Sequence, residues 1–152
     1  MALDALLQIV TDDSVNTGVS TTETSTAFDF GTALGALGDL QGFPEGATFV
    51  VVPSNAPESG ALPVTLDLEL SIDGTNYRRV CTVTYTNATK EIKSARFGLL
   101  DWVPDAAVLS GTDRAAAANL KARVVITYVN SAGTFIYSAF IAGPQHTGPF
   151  VE

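Results

Sequence analysis

The sequence predicts an all-β fold, a single-domain jelly roll or β-sandwich of about eight antiparallel strands with an extended N-terminal arm. Three observations lead there. Val64, Leu66, Leu68, Leu70 and Ile72 alternate with Thr65, Asp67, Glu69 and Ser71, the period of two that gives a strand one buried and one wet face. Turn signals separate several further runs rich in β-branched and aromatic residues. No stretch is strongly periodic as a helix and no fixed-period repeat stands out, which argues against a βαβ fold, a propeller or a solenoid.

Taken in order, Ala5 to Val10 reads as a short strand or a helical turn, the spacing of Leu3, Leu6, Leu7 and Val10 suiting the helix. Thr11 to Thr26 is dominated by Ser, Thr, Asp, Asn and Gly, and reads as an extended arm or long loop joining an apolar N-terminal segment to the body. Residues 1–26 are thus segment and arm, 27–143 the sandwich and 144–152 a tail. Ala27-Phe28-Asp29-Phe30 is a short strand. The Gly-rich connection Gly31 to Gly46 follows, and then a strand from Ala47 to Val52 ended by Pro53. That strand does not alternate, a pattern that predicts cover on both faces.

After the Pro-containing loop Ser54 to Gly60 comes a hairpin from Leu62 to Thr86. Asp73-Gly74-Thr75-Asn76 supplies its turn, because Gly accepts positive φ and Asp and Asn bond their own backbone. Tyr77 to Tyr85 returns with β-branched and aromatic residues. Ala95 to Val103 is a strand stopped by Pro104, and the alanines between Asp105 and Asn119 suit a helix of one turn or two, capped by Thr112 or Asp113. Leu120 to Val129 places Ala122, Val124, Ile126 and Tyr128 on one face, Asn130 to Gly133 turns, and Thr134 to Ala142 returns. The Gly/Pro-rich tail from Gly143 to Phe150 is expected to run over the surface.

At 152 residues the chain is large enough to bury roughly 70% of its unfolded surface, so an apolar core suffices. Cys81 stands alone and forms no internal disulfide; inside a strand it reads as a small buried hydrophobe. Charged residues make up 16% of the chain against 46% apolar, where about 25% charged is usual, a balance that suggests a surface partly covered by a partner. The formal charge is −8 and the few cations are scattered, which disfavours nucleic acid. Met1 to Leu7 lacks a cationic start and is broken by Asp4, and no apolar run approaches the ~20 residues of a membrane span. A soluble protein made in the cytoplasm, with no membrane partner, is expected.

Chemistry is sparse. The single histidine, His146, lies in the tail without a cysteine or carboxylate beside it, and a ligand or general base needs an ordered second group. No Gly-x-Ser-x-Gly elbow or P-loop occurs, and Gly31, Gly35 and Gly38 have the wrong spacing for a dinucleotide loop. Asp12, Ser14, Asn16 and Glu23 mimic part of a calcium loop, but Thr17 holds the position that needs Gly. Asp67 and Glu69 share the polar face of one strand, better explained by solvation than by paired-carboxylate catalysis. Trp102, Tyr77, Tyr85, Tyr128 and Tyr137 suit either core packing or, as an alternative function, stacking on sugar rings in a carbohydrate-binding sandwich. No catalytic residue, metal, cofactor or small-molecule substrate is expected.

Phe28-Asp29-Phe30-Gly31 with the Gly/Leu connection, Thr48 to Val52, Leu66 to Tyr77, Leu120 to Tyr128 and Phe140-Ile141-Ala142-Gly143 together resemble the small jelly-roll cement, or decoration, proteins of tailed-bacteriophage heads. The likeness spans Ala27 to Ala142 and its motifs are structural. It implies a non-catalytic homotrimer on the outer surface of the virion, bridging copies of the major capsid protein and stabilising the shell. Repetition over a lattice would make weak contacts multivalent. With the apolar-tipped arm as the clamp, Leu3, Leu6, Leu7, Ile9, Val10 and Phe150 are the candidate capsid-binding residues.

Overall fold

A computed structural model describes residues 7–16, 22–29, 47–71, 74–97, 121–129 and 134–142. Their alternating apolar residues form β1 (Leu7–Asn16), β2 (Thr22–Thr24), β3 (Phe28–Asp29), β4 (Ala47–Pro53), β5 (Val64–Ser71), β6 (Arg78–Tyr85), β7 (Lys93–Phe97), β8 (Lys121–Thr127) and β9 (Thr134–Ala142), with one 3₁₀ turn at Ser59–Ala61. The first sheet runs β1-β9-β4-β7 and the second β2-β8-β5-β6, with β3 also pairing β8. Every pairing is antiparallel. When β2 and β3 are counted as one interrupted strand, each sheet has four, in the interleaved order of a jelly roll. The all-β sandwich is therefore as the sequence predicts.

The core lies between the sheets. β9 contributes Phe135, Tyr137, Ala139 and Ile141, and β4 contributes Phe49 and Val51. Facing them are Val64, Leu66, Leu68 and Leu70 of β5, Ala122, Val124 and Ile126 of β8, and Val83 and Tyr85 of β6. Full burial of each large side chain stabilises by about 1.5–3 kcal/mol. Phe135 stacks on Tyr137 at 5.8 Å and meets Tyr85 edge-on at 5.9 Å. The β5–β6 hairpin forms as expected; Gly74 takes φ 78° in its turn, and its N–H donates to Ser71 Oγ at 2.9 Å.

The arm expectation is corrected where the chain is described. Residues 7–10 take the strand alternative and residues 11–16 are not an arm: together they form the edge strand of the first sheet, paired with β9 from Leu7↔Ile141 to Asn16↔Thr134. Two register shifts interrupt that pairing. At the second, Asp12 adopts φ 41°, its N–H donates to Ser138 Oγ at 3.0 Å, and its carboxylate accepts the Ser138 and Ser54 hydroxyls at 3.3 and 3.2 Å. A polar segment thus belongs to the sandwich because a bulge turns Asp12 toward two serines while Asp13 opposite Tyr137 keeps the inward register. β2 follows on the second sheet. The sandwich consequently begins at Leu7, before the boundary at residue 27.

β4 departs from expectation by one face. Phe49 and Val51 are fully buried, whereas Val50 and Val52 are half-buried on the outside of the first sheet. Cys81 is also only half-buried, packed at the margin of the core. The expected helix between Asp105 and Asn119, residues 98–103 of the predicted strand, and the tail lie outside the described residues.

Candidate functional site

The two outward faces differ in chemistry. Across the first sheet Val50 lies opposite Phe140 and Val52 opposite Ser138, with Ile136 diagonal to Val52. These residues share one side of the pleat, so Val50, Val52 and Phe140 form a half-buried apolar patch, with Ile136 beyond Ser138 and the Asp12–Ser54 bonds that surround it. Asn55 secures its border: its side-chain amide donates to the Thr134 carbonyl at 2.6 Å and accepts the Ile136 N–H at 2.8 Å.

The second sheet presents a polar face. Thr22, Thr127, Thr65 and Thr84 form one cross-strand row. Asp67 accepts the Thr82 hydroxyl at 2.6 Å and lies 3.9 Å from Arg79, while Arg123 donates to Glu69 at 2.7 Å and covers the Tyr77 ring at 3.8 Å. Each charge here has a neighbour of opposite sign, so this face is locally neutralised.

A third feature lies between the sheet margins formed by β1 and β2. A cleft of about 170 Å³ is lined by Ile9, Val10, Thr11, Asp13, Ser25 and Thr26. Ser25 anchors its second wall: the Val124 N–H donates to Ser25 Oγ and the Ser25 N–H to the Val124 carbonyl, both at 2.9 Å. Beneath it, Tyr128 donates to Glu23 at 3.0 Å. The Tyr137 hydroxyl is buried without a hydrogen-bond partner. Burial, followed by the nearby Asp13 and Glu23 carboxylates, pushes the Tyr137 phenol well above the ordinary tyrosine range.

The sequence candidates are placed unevenly. Ile9 and Val10 are each 7% exposed and pack in the core, which corrects their assignment to a free capsid-binding tip. Leu7 pairs with Ile141 in β1. Leu3, Leu6, Phe150, Trp102 and His146 lie outside the described residues. The partial calcium-loop set is divided: Asp12 and Ser14 belong to the first sheet and Glu23 to the second. Among the described residues no group of three or more His, Cys, Asp and Glu side chains is placed to hold a metal. Tyr85, Tyr128 and Tyr137 are core residues, which withdraws three tyrosines from the sugar-stacking alternative.

Sequence reasoning missed Val50, Val52, Ile136 and Phe140 as a surface, although the unbroken run Val50-Val51-Val52 was its signal. It also missed that Asp13 and Glu23, from opposite sheets, both act on the Tyr137 phenol, for which the sequence carries no local sign. No helix among the described residues is long and apolar enough to cross a membrane. Comparison with known protein families, with curated proteins and with solved structures finds no match to this chain.

Proposed function

We propose that the chain is a structural protein of a tailed-phage virion, a cement protein that docks on the outer capsid surface and stabilises contacts between major capsid protein subunits as a homotrimer. The observation that carries this reading is the apolar patch Val50, Val52 and Phe140 on an outward sheet face. A central strand with apolar residues on both sides of its pleat has one side for the core and one for a partner. Jelly-roll strand order, the charge-poor composition and the resemblance of Ala27 to Ala142 to decoration proteins support the same assignment.

The test is mass spectrometry of particles purified from the source that encodes the chain, together with binding of the purified protein to emptied heads. The proposal expects the chain in fixed ratio to the shell protein, and greater heat resistance of heads that carry it. A chain absent from particles and without affinity for heads would sink it.

A further inference from the structure

The two lateral margins of the sandwich carry opposite charge. Leu7–Asp29, which supplies β1, β2 and β3, contains Asp12, Asp13, Glu23 and Asp29 and no Lys or Arg. Arg78–Phe97, which supplies β6 and β7, contains Arg78, Arg79, Lys90, Lys93 and Arg96 against the single carboxylate Glu91. Between them, Glu69 of β5 pairs with Arg123 of β8 and Asp67 lies 3.9 Å from Arg79, so the cations of the Arg78–Phe97 segment still outnumber the carboxylates beside them, Glu91 and Asp67. β6 lies against β7 on one side, and β1 faces β8 and the β2 margin on the other. The chain is therefore acidic along one margin and basic along the opposite one.

Shape follows charge. On the basic margin Ile92 is 67% exposed, one of two large apolar side chains that stand out among the described residues, and it lies between Glu91 and Lys93, which pair with each other at 3.0 Å, with Lys90 two residues before it. On the acidic margin the cleft of about 170 Å³ has Ile9 and Val10 in its wall and Asp13 at its side. The two features stand at one height. A single cross-strand row of the first sheet runs Val10, Ala139, Val51, Lys93, so the neighbouring Ile92 is level with the cleft on the far side of the same molecule.

We infer that this chain associates with copies of itself head to tail, the Ile92 of one copy seating in the Ile9–Val10–Asp13–Ser25 cleft of the next. Lys90 comes alongside Asp13 and Glu23, while Lys93 keeps its pair with Glu91. Like margins repel, which excludes a two-fold contact of one margin with itself, and unlike margins attract, which selects a heterologous contact that closes into a ring or runs on as a filament. The apolar knob supplies contact area and the charges supply orientation. Continuous strand pairing between copies is opposed by two register shifts in the β1 pairing and one in the β6 pairing, because bulges twist an edge away from a partner ladder. The contact deepens the proposed function and rests on it for a ring of three, while the surfaces themselves stand on the margins just described.

The experiment uses the full chain and two substitutions at exposed positions, Ile92→Asp to spoil the knob and Thr26→Trp to fill the cleft. Sedimentation velocity at concentrations up to about 100 μM follows association. The native chain is expected to form a closed oligomer at about 50 mM salt and to weaken at about 500 mM, as screened charges require. Each variant alone is expected to lose association by about tenfold or more, with its melting temperature retained. Mixed, they contribute one sound knob and one sound cleft and are expected to give a 1:1 dimer that grows no further. A native chain that stays monomeric, variants that keep the native oligomer, or a mixture that fails to pair overturns the inference. Native oligomers that form through this contact yet ignore heads overturn the capsid proposal and leave the contact standing.

Discussion

The outward faces of the two sheets are built from the same four-stranded geometry and solve opposite problems. On the second sheet Thr65, Thr84 and Thr127 lie in one row, and Arg123, Glu69, Asp67 and Arg79 neutralise one another, so water satisfies whatever the side chains leave. On the first sheet Val50, Val52, Ile136 and Phe140 occupy the equivalent outward positions and offer water no hydrogen bonds. β-propensity alone does not separate them, since Thr and Val favour strands alike. Their difference is the wetness of the face, and the proposed docking reading rests on the drier one.

The largest expected effect lies beneath both faces. Leu68→Ala in the fully buried centre of β5 should lower stability by about 2–5 kcal/mol, seen as a shift of the urea midpoint. Its head binding should be unchanged below the new melting temperature. Loss of binding by a chain that is still folded would mean that the faces are not independent of the core.

Next comes a direct exchange of face chemistry. Val50→Thr with Val52→Thr keeps branching and strand preference while wetting the patch, and should weaken binding to heads about tenfold or more. Thr65→Val with Thr84→Val on the second sheet should leave binding within about twofold. Equal effects of the two exchanges would erase the distinction between the faces.

Arg123→Ala should cost about 1 kcal/mol, since a partly exposed ion pair with Glu69 and the stack on Tyr77 are both lost. That loss should shrink in high salt. A salt-independent cost would mean that the guanidinium acts by packing alone.

The smallest effect concerns two core tyrosines. Burial raises the Tyr85 and Tyr137 phenols, with Glu91 adding to the first and Asp13 and Glu23 to the second. For a folded-state pKa lifted above the unfolded value of about 10, the stabilising contribution is complete below pH 10 and is lost as pH climbs past it. Chemical denaturation between about pH 8 and pH 11 should therefore show a decline beginning near pH 10. Tyr137→Phe should flatten part of that decline and change neutral-pH stability by less than about 1 kcal/mol, because the hydroxyl it removes has no partner. Tyr85→Phe, by contrast, removes a donor to the Glu91 carbonyl at 2.9 Å and should destabilise at neutral pH.

Legibility in the sequence followed the regularity of each strand. β5, β8 and β9 were readable because every second residue is apolar and each is bounded by turn residues. In sequence the first part of β1 stays open between strand and helix and Thr11 onward misreads as an arm, because bulges at Gln8–Val10 and Val10–Asp13 break its alternation and leave a polar string that resembles a loop. β2 is only Thr-Glu-Thr, and its identity as a strand rests on pairing with β8. The run Val50-Val51-Val52 announced two covered sides, but not that one of them faces outward. Margins and cleft were illegible for a deeper reason. They bring residues near 10 beside residues near 25 and set them opposite residues near 92, and no local rule encodes that juxtaposition.

The pairing of β1 with β9 also has a temporal consequence. Leu7 meets Ile141, and the Asp12 N–H reaches the hydroxyl of Ser138, so β1 must wait for β9, more than a hundred residues later in synthesis. β4 waits as well, since β9 is its neighbour on one side. During synthesis the β5–β6 hairpin closes on contacts near in sequence, while the first sheet stays open until β9 threads between β1 and β4. A nascent chain stopped before Thr134 would expose the facing edges of β1 and β4 to the surrounding polypeptides, which makes this nine-residue strand the one that shields both of them at once.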